Sequence, residues 1–175
     1  MEVEDIQPWW FLVEPLEGES ISHFLGRFRR ANELSVSGLG KISGLGGAIA
    51  RWEKFRFNPP PNQQQLEALA KVVGINADRL SLMLPPKGVG MKLSPIRLCA
   101  ACYVEVPCHR IEWQFKQTNK CAPLRGSLRD RHQLRLLSEC PNCKARFQIP
   151  ALWVDGWCSR CFLPFVEMVK YQKIV

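Results

Sequence analysis

The chain has 175 residues, 46% of them hydrophobic and 23% charged, with a formal net charge of +8 and a sequence pI of about 9.3. That size admits one or two small domains, and the composition is that of a globular chain. It shows no long repeat and no low-complexity tract.

The charge is unevenly placed. Residues 1–19 hold six acids (Glu2, Glu4, Asp5, Glu14, Glu17 and Glu19) and no Lys or Arg. All 24 basic residues lie beyond them, against ten acids. A body this basic points to a polyanionic partner, most simply RNA or DNA. The start carries no secretory leader, and the apolar run Trp9 to Val13 is too short to span a membrane. Eight cysteines without a leader imply a reducing cytoplasm.

Residues 1–19 form an acidic arm around the apolar knot Pro8 to Val13. Trp9 and Trp10 either pack on the chain's own core or anchor a protein partner. Ser20 is placed to cap a helix, and Ile21, Phe24, Leu25 and Phe28 recur at the spacing of one helical face. Arg27, Arg29 and Arg30 ring the last turn, where cations suit the helix C-terminus and can also meet phosphate or an acidic partner. His23 reads as a surface or packing residue.

Residues 35–47 are rich in Gly and Ser but lack the order of a phosphate loop. They predict a short helix, a turn and a second helix from Ala48 to Phe55. Pro59-Pro60-Pro61 breaks the chain. Asn62 and Gln65 then make a capping box for a helix striped by Leu66, Leu69, Ala70 and Val73, ended by Gly74. Asn76 caps a short helix bearing Leu80 and Met83. This is a helix-turn-helix layout, with a second helix too short and too poor in Arg, Asn and Gln for base reading.

The linker Lys87 to Pro95 leads to cysteine motifs. Cys140-x-x-Cys143 and Cys158-x-x-Cys161 are separated by fourteen residues, long enough for a two-stranded excursion. Two such turns supply four thiolates and suit a tetrahedral Zn²⁺; two disulfides are the alternative. Cys99-x-x-Cys102, Cys121 and His132 form a second set, with Cys108 and His109 as rivals for its last positions. Ile111 to Phe115 alternates like a strand. Protein ligands fill both sets and leave no open position, so both ions are expected to be structural. No catalytic constellation stands apart from them, and no enzyme activity is expected.

The order of motifs resembles a known family. It runs from Glu19-Ser20-Ile21-Ser22-His23-Phe24-Leu25-Gly26-Arg27-Phe28 through the paired helices to Arg97-Leu98-Cys99-x-x-Cys102. It continues with Glu112-Trp113-Gln114 and Asp130-Arg131-His132-Gln133-Leu134, and ends in Cys140-Pro141-x-Cys143. It looks like the TniQ family, most closely the short TniQ proteins of type V-K CRISPR-associated transposons. The resemblance implies a targeting adaptor in RNA-guided DNA transposition, coupling a Cas effector with its guide RNA to an AAA+ regulator ATPase that recruits the transposase. The family's first site resembles Cys-x-x-Cys followed by Cys-x-x-His; here eight extra residues, Ala122 to Arg129, hold Cys121 and His132 apart.

The expected fold is therefore α+β. It comprises an arm (1–19), a helix-turn-helix domain (20–86), a linker (87–95), a first zinc module (96–138) and a second zinc ribbon (139–175). Protein docking is assigned to Trp9, Trp10, Arg27 and Arg30. Nucleic-acid contact is assigned to Arg125, Arg129, Arg131 and Lys144. The alternative is a stand-alone DNA-binding transcriptional regulator using the paired helices.

Overall fold

The computed structural model describes residues 11–115, 119–121 and 132–175. Among these the protein is mostly helical. Its β pairing consists of isolated antiparallel bridges, such as Glu19 with Arg110 and Leu98 with Leu137. Six α-helices carry the frame: α1 Ile21–Ala31, α2 Val36–Ile42, α3 Ala48–Glu53, α4 Gln63–Val73, α5 Ala77–Leu82 and α6 Ala100–Glu105.

Local chemistry starts and stops these helices where the sequence places it. The Ser20 hydroxyl accepts from His23 N, opening α1, and Ser35 does the same for α2 through Gly38 N. Asn62 and Gln65 exchange both bonds of the capping box, and Gly74 ends α4 at φ 73°. Asn76 caps α5 through Asp78 N. The second helix of the glycine-rich region stops at Glu53, two residues short of the expected Phe55.

Two apolar cores result. The first gathers Ile21, Phe24, Leu25 and Phe28 of α1 with Leu39, Ile49, Trp52, Leu66, Leu69, Val73 and Leu80. The second gathers Leu98, Trp113, Trp153, Phe165 and Met168 around the buried cysteines, with Phe55 reaching into it from the end of α3. Phe57 packs against both.

Helix α1 joins the two cores. A Cβ on Gly26 would lie 2.2 Å from the Ala151 carbonyl oxygen, so only glycine lets α1 sit directly on the short 3-10 helix Pro150–Leu152. The Ser22 hydroxyl accepts from Ala151 N and donates to Glu53 O. The Arg30 guanidinium donates to Ala151 O (2.6 Å) and Trp153 O (2.9 Å).

Two local expectations need correction. Ile111–Gln114 is a 3-10 helix, not a strand. Ile111, Trp113 and Gln114 are all buried, so the apparent alternation does not separate an inner from an outer face. The Gln114 amide instead clamps the segment, accepting from Arg97 N and donating to Lys92 O. The connector between Cys143 and Cys158 likewise makes no two-stranded excursion. Pro150, which has no N–H to donate to a ladder, starts a 3-10 turn there.

Candidate metal centres

Among the described residues, two groups of side chains bring metal-ligating atoms together: Cys99, Cys102, Cys121 and His132; and Cys140, Cys143, Cys158 and Cys161. Within each group the ligand atoms all lie within 4.8 Å of one another. A tetrahedron with metal–sulfur bonds of about 2.3 Å has sulfur–sulfur edges of roughly 3.8 Å, so the donor sets fit zinc in type, number and spacing. All eight cysteines are free thiols. The nearest sulfur pairs, 3.1 to 3.5 Å apart, are too far for the ~2.05 Å bond of a disulfide.

The first centre is built on α6. Cys99 is the residue preceding its first turn and Cys102 lies within that turn, where unpaired backbone N–H groups favour thiolate. Cys121 is carried by a bridged segment in which its N–H donates to Leu134 O. Its sulfur lies 3.1 Å from that of Cys102, and His132 Nδ1 lies 3.4 Å from Cys102 Sγ. Hydrogen bonds from Cys102 and then Cys121 hold the Cys99 thiol well below its ordinary range, while contacts with Cys102 and then Cys99 push Cys121 far up. The sulfurs thus divide their protons unequally, which a bound dication would relieve by displacing them.

Two residues behind this centre were not singled out from sequence. Glu105 Oε1 sits 2.9 Å from His132 Nε2, which orients the ring so that Nδ1 faces the sulfurs. The Gln172 carbonyl accepts from Ala101 N at 3.2 Å and lies 3.8 Å from Cys99 Sγ, while its amide donates to Arg135 O. Glu105 lies three residues beyond Cys102 on the same helix, a signal the sequence did contain. Gln172 lies 70 residues downstream and gave none.

The rivals are placed elsewhere. The buried Cys108 thiol, pushed up to about 12 by burial, has the Glu17 carbonyl 4.0 Å away. His109 Nδ1 is 2.9 Å from the Ser20 hydroxyl, and its ring lies among Phe55, Trp113 and Trp153. Burial keeps that imidazole neutral.

The second centre is made of two similar turns. The N–H after each knuckle returns to its first cysteine: Lys144 N to Cys140 O and Phe162 N to Cys158 O, both 2.9 Å. Lys144 and Phe162 both take φ 60°, the left-handed conformation. Cys140 Sγ faces Cys161 Sγ and Cys143 faces Cys158, each at 3.5 Å. The Asn142 amide lowers the Cys161 thiol to about 6.

Of the other assigned residues, Lys144 is exposed beside the second centre. Arg27 forms a bidentate pair with the buried Glu19 and also donates to Glu14 O. Arg30 is bonded to the 151–153 carbonyls, so both arginines are engaged within the chain. His23 is buried, with Nδ1 against Glu19. Trp9, Trp10, Arg125, Arg129 and Arg131, and the insertion Ala122 to Arg129, lie outside the described residues. No helix among the described residues is long and apolar enough to cross a membrane. No family model matches this chain, and no curated protein matches it.

Proposed function

We propose that this protein is a non-catalytic targeting adaptor of RNA-guided DNA transposition, of TniQ type. It bridges a Cas effector with its guide RNA to an AAA+ regulator ATPase. In this reading two Zn²⁺ ions staple the second core, α4 and α5 act as a helix-turn-helix used for protein contact, and the ligands serve structure. Zinc supplies cross-linking there. The chain's own residues do the rest: Glu105 orients His132, Asn142 favours thiolate at Cys161, and α1 fixes the helical part to the zinc part.

The observation that carries the proposal is the network formed by the motif residues themselves. Glu19 accepts from Arg27, Ser20 caps α1 and meets His109, and Gly26 lets α1 sit against Ala151. The residues that carry the family resemblance thus join a helical unit to a cysteine-bound unit. A rigid two-part body with a basic surface is suited to hold two partners at a fixed spacing. The test is affinity capture from a cell that encodes the chain, with and without nuclease. An AAA+ ATPase retained after nuclease, together with a ribonucleoprotein, is expected. Tight binding to one DNA sequence without either partner would favour the transcriptional-regulator reading.

A further inference from the structure

The second knuckle carries an aromatic ring that the fold does not need. Phe162 follows Cys161 at φ 60°, a conformation in which glycine is at ease and an L side chain is strained. Its ring is 67% exposed. Phe55 shares the left-handed conformation at φ 57°, but its ring is buried in the second core, where packing compensates. Phe162 meets Trp157 edge-on, and Lys144 takes the same φ 60° at the matching position of the other knuckle, so the turn itself sets this conformation. What the turn does not account for is a large, exposed aromatic side chain at that position.

The surroundings of Phe162 are shaped. Trp157, 45% exposed, stands against it with ring centroids 6.4 Å apart and planes at 78°. The two rings form the corner of an open cavity of about 260 Å³, which Leu152, Val154, Gln148 and Arg146 also line. Trp157 is held by its bridge to Pro164, and the Gly156 carbonyl accepts from Phe165 N. The corner is therefore fixed by backbone on both sides. One cation and one carboxylate, Arg146 and Asp155, line the cavity, and Lys144 and Arg160 are exposed on the knuckles beside it.

An exposed aromatic corner flanked by cations matches an unpaired base and its phosphates better than it matches a protein helix. Every base offers a π-face to stack, and phosphates draw the arginines. Aromatic and Arg side chains also recur in protein interfaces, so the salt dependence and the partner readout below separate the two occupants. We propose that the Trp157–Phe162 corner is a stacking site for an unpaired base of single-stranded RNA, with Arg146 on an adjoining phosphate and Asp155 available to accept from a base N–H. The choice of RNA over DNA rests on the adaptor reading above; the stacking and phosphate chemistry do not.

The test uses the full-length, metal-loaded protein and a labelled single-stranded RNA of about 12 nucleotides, within the site sizes of single-strand binders. Binding is read by fluorescence anisotropy over a range of salt. Phe162→Gly removes the ring and the strain together. It should weaken RNA binding by about tenfold, as expected for one lost stacked base, while the melting temperature stays level or rises. Arg146→Gln should reduce the slope of log affinity against log salt by about 0.7, the value for one phosphate on a single strand. Native mass spectrometry checks that two metals remain. If Phe162→Gly sheds a metal, Trp157→Ala reads the same corner without touching the strained position. Unaltered RNA affinity in Trp157→Ala and Arg146→Gln overturns the site. Tighter binding of DNA of the same sequence overturns the assignment to RNA, and loss of a protein partner with RNA affinity intact shows a docking surface instead. Capture of the ATPase by the unchanged protein is scored separately. RNA binding that depends on Phe162 in a protein that captures no ATPase keeps the site and sinks the adaptor reading.

Discussion

At the scale of single residues, the buried carboxylate of Glu19 and the imidazole of His132 are each set by their neighbours. Burial pulls the Glu19 carboxyl up, but hydrogen bonds and charge from His23 and Arg27 outweigh it and hold it below its ordinary 4.5. A depressed carboxyl contributes stability that is present above the unfolded pKa and lost as pH falls through the folded one. Glu19→Gln should therefore melt lower than the parent at neutral pH, and the gap should close as pH drops below 4.5. Melting curves at constant metal content measure it; a gap independent of pH sinks the assignment. For His132, Ala should reduce the metal count from two to one. Glu105→Gln should keep both ions but weaken the first site by roughly 10–100-fold, the usual effect of removing a carboxylate behind a ligating histidine. Competition with a chromophoric chelator reads both. Retention of two ions in His132→Ala would argue for another ligand. The cysteine spacing made these ligands legible from the sequence, because two thiolates in one short turn converge whatever surrounds them. Arg27 and Arg30 read equally well as free surface cations, because nothing local reveals that a distant carbonyl or a buried carboxylate awaits them.

At the scale of elements, the helices were legible and their contacts were not. Caps act within four residues, so Ser20, Asn62, Gln65, Gly74 and Asn76 announce their roles. The strand expected at Ile111 to Phe115 failed because alternation implies one buried face, whereas this segment buries Ile111, Trp113 and Gln114 together. Gly26 shows the same limit. In a helix interior glycine costs about 1 kcal/mol against alanine, so helix propensity alone says that Gly26→Ala stabilises α1. The structure says the reverse. The new methyl carbon would meet backbone atoms of Ala151, with its carbonyl oxygen at 2.2 Å, and neither α1 nor the 150–152 turn can yield without breaking the Ser22 and Arg30 bonds. Gly26→Ala should lower stability by about 1–3 kcal/mol, as overpacking does. Urea denaturation at constant metal gives the sign directly, and a stabilised variant would show that the two elements part easily.

At the scale of the whole molecule, the two cores differ in what holds them. The first is built from helix faces and contains no cysteine. The second counts Cys99, Cys102, Cys121, Cys140 and Cys158 among its buried members, in a region of isolated bridges and short turns. Such a region has few backbone ladders of its own. A structural zinc contributes roughly 10–16 kcal/mol in small zinc peptides, more than the total stability of an ordinary domain, about 5–15 kcal/mol. Chelation should therefore unfold the second core first. The first core should survive in weakened form, because α1 would lose the Ala151 and Trp153 carbonyls bound by Arg30, the Ala151 contact of Ser22, and the pairing of Gly18–Ser20 with His109–Ile111. Hydrogen exchange after metal removal should show rapid loss of protection in α6 and in the 150–152 and 165–171 turns. Amides of α1 and α4 should lose protection only in part, with α1 affected more than α4 because α1 alone of the two bears the cross-core bonds. Equal loss in α1 and α4 would mean that the cores unfold as one cooperative unit, and unchanged protection after both ions are gone would mean that the cysteine centres do not hold the second core at all.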